Sequence, residues 1–106
     1  MADDNNDLPG FEPPHPGEYI RKDILPALGM TITDLADHLG VTRASLSELV
    51  NCRRDVSLEM AQRLGQAFRN GTRFWMALQM QRDIWLAERK KKKISVSPIK
   101  WTPNAA

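Results

Sequence analysis

Residues 1–14, MADDNNDLPGFEPP, show no hydrophobic period and are rich in acids, Asn, Pro and Gly, so they read as an extended arm. From His15 onward the apolar positions recur at helical spacing. Pro16 suits the first turn of a helix that turns Ile20, Ile24 and Leu25 inward, is stopped by Pro26 and has its face completed by Leu28. Thr31 and Asp34 form an acidic capping box, Met30 and Leu35 a hydrophobic staple, and Leu35, Ala36 and Leu39 one buried face that ends at Gly40. Thr42 caps a second short helix, Arg43 to about Val50, which buries Leu46, Leu49 and Val50. Ser57 caps Leu58 to Arg69, with Met60 or Ala61, Leu64, Ala67 and Phe68 inward. After Asn70-Gly71, Thr72 caps a last helix from Arg73 to about Lys91. The pattern predicts an all-α chain of five helices.

Met30 to Leu49 organises this set. Arg43, Ala44, Ser45, Ser47 and Glu48 face outward from the second short helix, giving a short polar surface headed by one long donor. Small side chains let a helix backbone approach the DNA major groove, and an arginine reaches a base edge. Arg53 and Arg54 follow in the loop Asn51–Asp55, ahead of a helix N-terminus, where they are placed to meet phosphates. The order of Ala36, Gly40, Val41, Leu46 and Leu49 resembles the helix-turn-helix of the phage-repressor-like family.

Charge changes the picture at both ends. The net charge of +2 hides five acids and no Lys or Arg in residues 1–18, and six bases against Glu88 in residues 88–101. The chain divides into an acidic arm, 1–14, a helical domain, 15–88, and a basic tail, 89–106. At 106 residues it has room for one core. The single cysteine, Cys52, excludes an intrachain disulfide and suits a reducing cytoplasm. No apolar run approaches the ~20 residues that span a bilayer, and no signal peptide opens the chain, so the expected location is cytoplasmic. His15 and His38 lack metal-ligand spacing, and there is no nucleophile–base arrangement or phosphate-cradling glycine loop. Neither an enzyme, a cofactor nor a small-molecule ligand is expected.

The last helix carries more apolar surface than one small core can cover: Phe74, Trp75, Leu78, Trp85 and Leu86 form an aromatic stripe, with Met76, Met80 and Ile84 on a second side. The excess predicts a homodimer seam, which suits DNA reading because a two-fold pair presents two recognition helices one DNA turn apart. Beyond Lys90–Lys93, residues Ile94, Val96, Ile99 and Trp101 form a β-prone segment interrupted by Pro98; the chain has no sheet of its own to receive it, which makes the segment a candidate to pair with the sheet edge of another protein.

HPGEYIRKDILPALGMT, the helix-turn-helix, and NCRRDVSLEMAQRLGQAFRNGTRFWMALQMQRDIW together closely resemble the HigA antitoxins, or VapI-like group, of bacterial type II toxin–antitoxin modules over about residues 15–87. The resemblance implies a dimeric antitoxin that neutralises a HigB toxin, a RelE-like mRNA endonuclease, and represses its own operon at a palindromic operator. It places the recognition helix on Thr42 to Val50, with Arg43, Ala44 and Ser47 at base edges, and Thr33, Arg53 and Arg54 near the backbone; Thr42, Ser45 and Asn51 complete the expected DNA surface. It places the dimer element on Thr72 to Glu88, with Phe74, Trp75, Leu78, Arg82 and Trp85 in the seam. Cys52 departs from the glycine common among relatives, which shifts the expected left-handed residue to Asn51. A stand-alone helix-turn-helix repressor without a toxin partner is the alternative, and a protein-interaction scaffold a more distant one.

Overall fold

The computed structural model describes residues 12–89 and 94–102. Five helices follow in order, with no strand among the described residues. The first, α1, is continuous but built in three parts: an α-helical turn Pro16–Tyr19, a π-helical turn Ile20–Ile24 and an α-helical turn Leu25–Leu28. Pro26 therefore does not stop the helix as its residue type predicts. A proline inside an α-helix lacks its N–H and presses its ring on the carbonyl four residues back. Here the preceding turn is widened, with the Leu25 N–H donating to the Ile20 carbonyl, and the ring is accommodated. The helix ends instead at Gly29, in the left-handed region at φ 64. Leu28 is exposed rather than completing the inward face.

α2 (Ile32–Leu39) opens with both halves of the expected capping box: the Asp34 N–H donates to Thr31 Oγ1 at 3.0 Å, and the Thr31 N–H to Asp34 Oδ2 at 3.1 Å. Gly40 ends it at φ 74. α3 (Arg43–Val50) is capped by Thr42 Oγ1, which accepts from the Ser45 N–H at 3.1 Å. The left-handed residue after α3 is Cys52, at φ 62, and not Asn51, whose φ is −94. Asn51 is held by another bond, its side-chain amide donating back to the Ser47 carbonyl at 2.9 Å, so the turn falls one residue later. α4 (Leu58–Phe68) is capped by Ser57, and α5 (Gly71–Arg89) begins one residue ahead of Thr72, its expected cap.

The core is formed by Ile20, Leu35, Leu46, Leu49, Val50, Leu64 and Trp75, each nearly or wholly buried, with Val56 closing the loop side. Two glycines set how closely the helices approach. A Cβ on Gly17 would lie 1.7 Å from the Leu49 carbonyl oxygen, and one on Gly65 2.4 Å from the Gly71 carbonyl carbon. Both neighbours are backbone, which cannot step aside, so α1 sits directly on the end of α3 and α4 directly on the start of α5.

Candidate nucleic-acid interface

The outward surface of α3 is presented rigidly because its inner surface is sealed. Leu46, Leu49 and Val50 are completely buried, and the Arg21 guanidinium on α1 donates through Nε to the Val50 carbonyl at 3.1 Å, satisfying one of the carbonyls a helix end leaves open. At the other end, Arg43 Nε donates to Thr33 Oγ1 at 3.1 Å and fixes α3 against the start of α2. A third tie comes from α4: Arg63 Nη1 donates to the Leu39 carbonyl at 2.7 Å, while Arg63 also pairs with Glu59.

Thr33, Thr42, Arg43, Ala44, Asn51, Arg53 and Arg54 are all exposed. Ser45 and Ser47 are only half-buried, hence less outward than the spacing predicts. Ser45 lines a cleft of about 190 Å³ between α3 and α4, shared with Val41, Leu49, Met60, Arg54 and Arg63. Ser47 Oγ accepts from the Asn51 amide at 3.3 Å. The two loop arginines differ. Both are exposed, but Arg54 donates through Nε to Glu48 Oε1 at 2.9 Å and is already paired with a carboxylate.

The loop between α3 and α4 is held from beneath. The Val56 N–H donates to the buried Gln79 Oε1 at 2.8 Å, and Gln79 Nε2 donates to Asp83 at 3.0 Å. His15 caps α1, its Nδ1 accepting from the Gly17 N–H at 2.9 Å, and its Nε2 lies 3.8 Å from Asp55 Oδ1. Burial, with the nearby Arg82 charge adding to it, lowers the His15 pKa below the ordinary value of 6.5 and keeps the ring neutral, as an accepting Nδ1 requires. Arg21, Arg63 and Gln79 do not stand out in the sequence, because a polar residue that ties two elements together leaves no period. The HPG run was visible as a helix start and as part of the family resemblance, but not in its packing: each of its residues is buried for a different structural reason, as cap, first turn and close approach.

The apolar excess on α5 is real but distributed differently from the expected seam. Trp75 is a core residue with no surface left for a partner: it is fully buried, packs edge-on against Phe74 at 5.3 Å, and donates from Nε1 to Asn70 Oδ1 at 2.8 Å. Of the other expected seam residues, Leu78 and Trp85 are half-buried, with the Arg89 guanidinium 4.3 Å over the Trp85 ring. Arg82 is occupied within the chain, donating to the Pro13 carbonyl and pairing with Glu12, each at 2.8 Å. Phe74 retains some exposure. The most open apolar positions are Met80 and Ile84, 59% and 48% exposed, on the side of α5 away from Trp75.

Among the described residues no group of three or more His, Cys, Asp and Glu could hold a metal ion, and no helix is long and apolar enough to cross a membrane. Two short helices about a glycine turn, the second sealed on one side and open on the other, define a helix-turn-helix fold of the kind that enters a DNA groove. The helix-turn-helix family model matches residues 20–75, and the chain belongs to that family. Virulence-associated protein A' of Dichelobacter nodosus is 49% identical over 73 residues, which make up 68% of this chain and 63% of that protein, so the chain spans under two thirds of that relative's length. The antitoxin GraA superposes with a TM-score of 0.72 at 34% identity, over 76% of this chain and 86% of that one. The Pseudomonas aeruginosa antitoxin HigA, solved with the higBA promoter, gives 0.68 at 35% identity, over 71% and 82%. The structural neighbours are thus antitoxins of the HigA and GraA kind, in keeping with the resemblance read from sequence.

Proposed function

We propose that the chain is a HigA-type antitoxin that neutralises a HigB-like toxin by binding it and represses its own operon as a dimer, without enzymatic activity. The observation that carries the DNA half is the outward surface of α3, braced by Thr33, Arg21 and Gly17, with Arg43 at its head. In this reading Arg43, Ala44 and Ser47 meet base edges, and Thr33, Thr42, Ser45, Asn51, Arg53 and Arg54 meet the backbone, Arg54 after exchanging Glu48 for a phosphate. The neighbour solved with the higBA promoter supports operator binding. The dimer is formed by the open side of α5, through Met80 and Ile84 rather than Trp75, with Phe74 and Leu78 at its margin.

The test has two parts. Gel shift on the DNA upstream of the gene, at several salt concentrations, is expected to show a specific complex whose affinity falls steeply with salt. Co-expression with a small toxin encoded beside the gene is expected to restore growth. DNA binding without any such rescue would leave a stand-alone repressor.

A further inference from the structure

Leu78, Arg82, Trp85 and Arg89 succeed one another along α5 at helical spacing and form one stripe, on a different side from Met80 and Ile84. The chain's own N-terminal run covers the first part of it. Pro14 lines an apolar cleft with Tyr19, Phe74 and Leu78, and one turn further on Arg82 donates to the Pro13 carbonyl and pairs with Glu12, each at 2.8 Å. Followed backward from Pro14 to Glu12, the chain therefore climbs α5 toward its C-terminal end. The stripe ahead of it is unfinished. Trp85 is half-buried, with the Arg89 guanidinium 4.3 Å over its ring, and its Nε1–H is buried without an acceptor among the described residues. Buried N–H groups are almost always paired, so an acceptor from outside those residues belongs here.

We propose that residues 1–11 of the same chain continue along this stripe, cover Trp85 and Arg89, and thereby keep nucleic acid off the basic end of α5. The inference stands apart from the dimer and operator readings above. Three observations favour this occupant over any other. The arm is already tied to the stripe through Glu12 and Pro13, and a tethered segment acts at an effective concentration that a molecule arriving from solution must exceed. It also reaches. Arg89 lies seven residues past Arg82, about 10 Å along the helix axis, while Asp7, five residues ahead of Glu12, is up to about 17 Å away in an extended chain. Finally, the charges match. Asp3, Asp4 and Asp7 bring three carboxylates and no Lys or Arg, and Arg89 is followed in sequence by Lys90–Lys93. Between those carboxylates and Glu12, Leu8 and Phe11 supply apolar groups for Trp85 and for Leu86 beside it, which is 38% exposed. Carboxylates and phosphates then compete for the same cations, so the arm weakens nucleic-acid binding at this end by the factor by which nucleic acid weakens the arm's hold.

Hydrogen exchange of the Trp85 indole N–H, followed by NMR in the full chain and assigned with Trp85→Phe, reads the cover directly. The double variant Leu8→Ser with Phe11→Ser removes the arm's apolar hold and leaves every charge in place, and neither position belongs to the helical core. It is expected to exchange the Trp85 N–H at least about tenfold faster than the native chain. It is also expected to bind a duplex of random sequence at least about threefold more tightly, a gain that no change in net charge can explain. Equal exchange in the two proteins would overturn the proposal. Protection in the native chain that grows with protein concentration would overturn it in favour of a second copy, and protection that appears only after a toxin is added would give the stripe to the toxin. Faster exchange with unchanged affinity for the duplex would overturn the shielding of the basic end.

Discussion

Arg43 Nε is bonded to Thr33 Oγ1 at 3.1 Å, which leaves the two terminal nitrogens of the guanidinium as its outward donors. A bidentate contact to a guanine edge uses such a pair, and the bond to Thr33 pre-sets the side chain for it. Arg43→Ala should weaken operator binding by about 1–3 kcal/mol and relax discrimination at one base position. Thr33→Val should cost less, since the donors remain and only their orientation is loosened. Fluorescence anisotropy on the upstream DNA measures both; equal, negligible effects would remove Arg43 from base readout.

Glu48 and the loop arginines give a second expectation. The Glu48 carboxylate sits on the exposed side of α3 and holds Arg54. Glu48→Gln removes a charge that repels phosphate and releases Arg54, so binding to any duplex should tighten, more at low salt than at high. Arg53→Ala should weaken specific and nonspecific DNA alike and lower the slope of log affinity against log salt by about 1. Titrations at four or five salt concentrations separate these outcomes from a base-reading role, which would leave the slope unchanged.

The proposed dimer seam is tested by contrast between two sides of one helix. Ile84→Glu places a charge on the open side of α5 and should abolish dimers while leaving the helical circular dichroism intact. Trp75→Ala removes a fully buried indole and should destabilise the fold by about 3–5 kcal/mol. Dimers persisting in Ile84→Glu would show that α5 does not pair through this side.

That contrast also shows where the sequence was readable. Leu35, Ala36, Leu39, Leu46, Leu49 and Val50 are buried as their period demands, and the capping box at Thr31 is present as written, because local spacing and short-range capping decide those features. The side of α5 turned to the core was less legible. Apolar residues run round most of that helix, so period alone cannot choose between the side holding Trp75 and the side holding Met80 and Ile84. Pro26 misled for a related reason: the rule that proline stops a helix assumes an unbroken α-helix, and a π turn relieves the clash it rests on. On the outward side of α3 and its loop the exposure of Arg43, Ala44, Arg53 and Arg54 was legible, but the Arg54–Glu48 pair was not, since it joins a helix to the loop beyond it and follows no spacing rule.

Among the described glycines Gly17 leaves the least room for a side chain. An alanine methyl at this position would meet the Leu49 carbonyl oxygen at 1.7 Å, and relief requires α1 to lift from the end of α3. Gly17→Ala should therefore destabilise by more than about 2 kcal/mol, against the gain of up to about 1 kcal/mol by which alanine normally stabilises a helix. Urea denaturation gives the sign directly. A stabilised variant would mean that α1 does not rest on α3 as described.

His15 makes stability depend on pH with a definite sign. Its folded pKa lies below 6.5, because burial first, and the Arg82 charge second, oppose the imidazolium. Below pH 6.5 the unfolded chain takes up a proton that the folded chain resists, so the folded state loses stability as pH falls from 6.5 toward the lowered value, and gains nothing further above 6.5. His15→Asn keeps an oxygen able to accept the Gly17 N–H but does not titrate. Thermal melts of both proteins between pH 7.5 and about pH 5 should show the native chain losing more than the variant. Parallel losses in the two would assign the acid sensitivity to the carboxylates instead.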